Sequence, residues 1–171
     1  NSMGKTEMWY VVQADEKAHL MSGLTRQITP EEYAAKVEDN TITEVLHDYN
    51  VSAGDVFFLP AGRIHSIGTG CFIAEIQQTS DITYRIYDFG RVGLDGKPRE
   101  LHTELSKAAI DYTVLEDYKT AYEDVKNAEN EIVSCEYFTT SIYDLTEKAE
   151  AAVKANDSFL IVICVEGQGS L

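Results

Sequence analysis

Three short stretches carry side chains that could do chemistry together. "GDVFFLPAGRIHSIG" (54–68) ends an apolar run at Leu59, turns through Pro60 and Gly62, and presents His65 three residues later. "GKTEMWYVV" (4–12) sets Lys5 and Glu7 two apart just before a β-rich run, so an extended backbone carries both on one side. "AEIQQTSDITYRIYDF" (74–89) places Glu75 inside an apolar run and Arg85 between Tyr84 and Ile86. An imidazole and a carboxylate are ordinary ligands for a divalent metal. Charges inside strands, such as Glu75 and Arg85, must face solvent or be paired. Each stretch also has a plainer reading: a satisfied core histidine, a charged strand end, one solvated sheet face.

The spacing around His65 tips the balance. Gly54 turns the chain into a strand, and Pro60 ends that strand because it has no N–H to give to a ladder. Gly62 permits the tight reversal. His65 then opens the next strand with its ring directed inward. Gly54-x5-Pro60-x-Gly62-x2-His65 matches the second signature of the cupin barrel. Strand alternation puts Ala74, Ile76 and Gln78 on one face and Glu75 and Gln77 on the other, which indicates a wet cavity between adjacent strands.

The elements that must position these residues follow from the patterning. Met8 to Gln13 reads as a strand. Residues 29–47 read as helical, with Thr29-Pro30-Glu31-Glu32 supplying an N-cap, a first-turn proline and a capping-box glutamate, and with a break near Asn40. From Tyr49 onward short strands are expected at Val51, Val56–Leu59, Ile64, 71–76 and 83–87, separated by Gly, Pro, Asn and Asp. "GLDGKP" (93–98) reads as a loop or hairpin tip and "HTELSKAA" (102–109) as a short helix or turn. "EIVSCEYFTT" (131–140) is strand-like, "LTEKAEAAVKA" (145–155) helical, and "SFLIVICVEGQGSL" a strand followed by a turn. The expected fold is mainly β: an antiparallel β-sandwich barrel, or jelly roll, with short helical insertions.

Composition narrows the partners. The formal charge is −15, from 14 Lys and Arg against 29 Asp and Glu. That argues against nucleic acid and anionic membranes, which require a basic face. No apolar run has the length of a membrane span. Cys71, Cys135 and Cys164 are far apart, odd in number and without C-x-x-C spacing, which fits reduced thiols and a cytoplasmic location.

"PAGRIHSIGTGCFIAEIQQTSDITYRIYDFGRVGLDGKPRELH" (60–102) closely resembles the type I mannose-6-phosphate isomerases, and "NSMGKTEMWYVV" resembles their segment bearing a metal-binding glutamate. The final "VEGQGSL" resembles the opening of their second cupin half. The resemblance implies a metal-dependent aldose–ketose isomerase interconverting mannose 6-phosphate and fructose 6-phosphate. It implies one Zn²⁺, with Glu7 and His65 as two of its ligands and a Gln-x-His pair expected upstream of residue 1. It makes Lys5, Arg85 and Glu75 active-site groups and a sugar phosphate the ligand. It divides the chain into a first cupin domain over 1–112, lacking its N-terminal part, and a linker with the start of a second half over 113–171. On this reading the chain is a fragment, inactive alone. The competing reading is a non-catalytic cupin, a sugar-binding or regulatory module.

Overall fold

The computed structural model describes residues 4–150 and 158–170. Two compact units emerge, Asn1–Lys119 and Thr120–Leu171. In the first, β1 (Glu7–Ala14) lies between β4 (Val56–Leu59) and β6 (Cys71–Gln77). A second sheet has β2 (His19–Leu24) between β3 (Leu46–Asn50) and β5 (His65–Ile67). Every pairing is antiparallel. This is the expected mainly β cupin-type sandwich.

The inner faces of the two sheets share one apolar core. Trp9, Val11, Phe57 and Leu59 of the first sheet pack with Leu20 of the second and with Ala18 and Val51. A second cluster joins Leu24, Leu46 and Ile64 to the inserted helical segment through Ile28, Tyr33, Val37, Ile42 and Val45. That segment is α1 (Pro30–Glu38) followed by a 3-10 turn over Ile42–Val45. Thr29 caps α1 by accepting from the Glu32 backbone N–H. Asn40, at φ +59°, takes the left-handed conformation that separates the two pieces. α2 (Thr103–Ala109) packs beside α1, and its Ser106 Oγ lies 2.9 Å from the Tyr33 hydroxyl.

The first unit runs past residue 112 because Tyr118 is built into it. Its buried hydroxyl accepts from Leu24 N and donates to Leu24 O, at 3.1 and 2.9 Å. Lys119 then pairs with Asp55 at 2.8 Å. In the second unit β7 (Asn130–Ser134) and β8 (Thr139–Ile142) form a hairpin. The Asn130 side chain holds both Val125 N and Val125 O at 2.9 Å.

Several expected elements differ. Val51 and Ile64 lie just outside strands, which run over Leu46–Asn50 and His65–Ile67. β2 was not expected: its sequence HLMSGL mixes polar residues with a glycine at φ +74° and a bulge. Residues 83–87 form no strand, because Arg85 exchanges its backbone bonds with His102 instead of a ladder. The apolar stretch Phe159–Val165 forms no strand either, and its large apolar side chains are exposed. Residues 145–150 are not helical; the rest of that expected helix lies outside the described residues. The 93–98 loop does close as a tip, with Gly93 N donating to Lys97 O at 2.7 Å.

Candidate active site

Strand register gathers the polar residues. Glu7 lies opposite Leu59 on β4 and Gln77 on β6; Trp9 lies opposite Phe57 and Glu75. Direct partners share a face, so Glu7, Trp9 and Glu75 all line the inner side of their sheet. On the second sheet His65 lies opposite Ser22.

The turn that delivers His65 is tightly built. β4 stops at Leu59, and the Arg63 N–H donates to Pro60 O at 3.0 Å. Gly62 sits at φ +92°, where an added Cβ would lie 2.7 Å from Ala109 O and 3.0 Å from Asp111 N. Asp111 N donates back to Gly62 O at 2.9 Å, so the end of α2 clasps the turn. Glycine is required here by both conformation and space. At the other side Thr6 fixes the start of β1: its N–H donates to Gln78 Oε1 at 2.7 Å and its Oγ1 accepts from Ala61 N at 3.3 Å.

The side chains then meet in one connected network. Glu7 Oε1 lies 2.9 Å from His65 Nε2, and Glu7 Oε2 lies 2.9 Å from Lys5 Nζ. Lys5 Nζ also reaches Glu75 Oε1 at 3.2 Å. Trp9 Nε1 donates to Glu75 Oε2 at 2.8 Å. The Trp9 and His65 rings meet edge to face, with centroids 5.0 Å apart and planes at 87°. Glu7 is only 1% exposed.

Electrostatics follow from this packing. Burial pushes the Glu7 carboxyl upward, but hydrogen bonding and charge from His65 and Lys5 outweigh it and hold the group below its ordinary value. Burial likewise opposes the charge on Lys5, and the two glutamates outweigh it, so its pKa is raised. His65 Nδ1 lies 2.7 Å from Arg63 O. A carbonyl only accepts, so Nδ1 carries a proton. His65 Nε2 and Glu7 Oε1 are in direct contact at 2.9 Å. An imidazole nitrogen and a carboxylate oxygen are also ligand types that suit a divalent metal, and they supply two of the donors such an ion takes. Among the described residues, no group of three or more His, Cys, Asp or Glu side chains converges to hold a metal.

Of the residues singled out in the sequence, Lys5, Glu7, His65 and Glu75 are joined by direct contacts. Arg85 is placed differently. Its Nη1 donates to Glu100 O at 3.1 Å, and its backbone pairs with His102 at 3.0 and 2.8 Å. Sequence reasoning missed Trp9 and His102. The signal for Trp9 was present: it follows Glu7 by two in a strand and so shares its face. Nothing in the sequence marked His102 as the backbone partner of Arg85.

The chain is similar to known proteins along nearly its whole length. It is 33% identical to "Mannose-6-phosphate isomerase ManA" of Bacillus subtilis over 171 residues, 99% of this chain and 53% of that protein. It is 34% identical to "Mannose-6-phosphate isomerase" of Streptococcus mutans over 170 residues, again 99% of this chain and 53% of the relative. The chain thus spans about half the length of the curated relatives it matches. Residues 128–171 match the family described as "Mannose-6-phosphate isomerase, cupin domain". The crystal structure of the Bacillus subtilis mannose 6-phosphate isomerase superimposes with a TM-score of 0.71 at 31% identity, covering 81% of this chain and 44% of that one.

Proposed function

We propose that this chain, which resembles the mannose-6-phosphate isomerases in sequence and in fold, carries part of the active site of an aldose–ketose isomerase. The reaction is the interconversion of mannose 6-phosphate and fructose 6-phosphate. The observation that carries the reading is the connected Lys5–Glu7–His65–Glu75 network on the inner barrel faces. The relatives' names favour catalysis over a non-catalytic sugar-binding cupin.

The chemistry moves one proton between C2 and C1 of the open-chain sugar through a cis-enediol, while the hydroxyl proton passes from O2 to O1. It needs an acid/base group near both carbons and a positive centre beside the developing oxyanion. Glu75 is the acid/base group: its carboxylate takes the C2 proton and returns it to C1. Lys5, between Glu7 and Glu75, orients a sugar hydroxyl and steadies Glu75. Arg85 receives the phosphate, exchanging its contact with Glu100 O for a charged partner. Glu7 and His65 would hold zinc together with donors beyond this pair. When bound there, the ion supplies Lewis-acid polarisation of the sugar oxygens. The reading also places the protein in the cytoplasm, in keeping with its three free cysteines. Among the described residues no helix is long and apolar enough to cross a membrane.

The test is to incubate the natural full-length protein with mannose 6-phosphate in D₂O and follow the sugars by NMR. Formation of fructose 6-phosphate with deuterium entering at the carbon-bound position supports the enediol route. Unchanged mannose 6-phosphate, with the protein folded and zinc supplied, contradicts it.

A further inference from the structure

We infer that Trp9 is a positioning residue that fixes both the proposed acid/base carboxylate, Glu75, and the ring of His65. The inference rests on the isomerase reading for its catalytic meaning and on geometry for its substance. Trp9 is 2% exposed and belongs to the apolar core between the sheets. A purely structural tryptophan would bury its ring there and leave its N–H to the nearest acceptor. Here the N–H donates to Glu75 Oε2 at 2.8 Å, across the strand pair that sets Trp9 opposite Glu75. The other oxygen, Oε1, is held by Lys5 Nζ at 3.2 Å. Glu75 lies on an exposed part of β6, where a free carboxylate would sample several rotamers. Two donors from different directions leave it one orientation. The same indole meets His65 edge to face, so one side chain sets the spacing between the imidazole and the carboxylate.

The rigid ring matters as well as the donor. Trp9 cannot shift without disturbing Val11, Phe57 and Leu59 in the core, so the position of Glu75 is tied to the buried apolar core between the sheets. Lys5 alone, on a flexible stem, could follow either carboxylate. The tryptophan removes that freedom.

Two arms test this. In the natural full-length protein, Trp9→Phe keeps an aromatic ring against His65 but removes the donor, along with part of the buried ring. It should lower kcat for mannose 6-phosphate by about tenfold, the worth of one charge-assisted hydrogen bond, with KM changed less than about twofold. Unchanged kcat with a lower melting temperature would make Trp9 structural and overturn the inference. The second arm needs no turnover. Trp9 is the single tryptophan in the sequence, so its emission reports its own surroundings. Glu75→Ala should shift that emission in the folded chain. An unchanged spectrum would show that the contact does not form in solution, which also overturns the inference. A wild-type protein without isomerase activity would refute the functional reading instead, and the emission arm then decides alone whether Trp9 positions Glu75.

Discussion

Lys5→Met is the perturbation that bears most directly on the network. The substitution keeps the length of the stem and removes the ammonium. Lys5 Nζ lies 2.9 Å from Glu7 Oε2 and 3.2 Å from Glu75 Oε1. Glu7 Oε2 is buried and makes no hydrogen bond other than through this ion pair. Removing one partner of a buried pair costs about 3–5 kcal/mol. Lys5 is one-fifth exposed and His65 still holds the other oxygen, so the expected loss is about 2 kcal/mol. For a unit of this size that lowers the melting temperature by roughly 8 °C. The loss depends on pH in a defined sense. Glu7 has a lowered pKa when folded, so its contribution is present above its ordinary value of 4.5 and fades as pH falls through the folded value. Lys5→Met should therefore cost most near pH 7 and progressively less below about pH 4.5. Urea unfolding of the wild type and the variant, followed by Trp9 fluorescence at pH 7, 5 and 4, reads both. A difference under about 0.5 kcal/mol at pH 7, or one unchanged at pH 4, would refute the argument that Lys5 compensates a buried carboxylate.

Gly62→Ala should destabilise the first unit by about 2–3 kcal/mol, since the added carbon meets Ala109 O at φ +92°; thermal unfolding checks it. Tyr118→Phe removes a hydroxyl that satisfies both Leu24 N and Leu24 O, and should cost about 2 kcal/mol in urea unfolding. Arg85→Lys in the natural full-length protein should leave the melting temperature nearly unchanged and lower kcat/KM by about tenfold, because an ammonium cannot present the fork that grips a phosphate. A large stability loss with intact kinetics would make Arg85 a structural clasp on Glu100.

The legible parts of the sequence were those where physics leaves few substitutes. Pro60 and Gly62 announce a strand end and a reversal, and His65 follows at the position where β5 begins. Thr29 and Pro30 announce a helix start for the same reason. Elements that depend on a distant partner were not legible. The segment 83–87 has the composition of a strand, yet the backbone bonds of its Arg85 go to His102, in a later loop. HLMSGL lacks clean alternation, yet it is the central strand of its sheet because β3 and β5 both pair with it. At the site, Lys5, Glu7, His65 and Glu75 stand out through spacing together with the family resemblance, whereas the link through Lys5 and the clamp from Trp9 are properties of register. Arg85 reads in the sequence as a charge within a strand; the chain places it in a loop, on the Glu100 carbonyl.

The central claim is that Glu7 and His65 hold a metal on which isomerisation depends. The most direct measurement is a coupled assay for fructose 6-phosphate on the natural full-length protein, with metal content read in the same samples. Chelator should abolish turnover and zinc restore it. His65→Ala should lose both zinc and activity while remaining folded. Full activity in the metal-stripped protein, or a His65→Ala variant that keeps its zinc and its rate, would contradict the account.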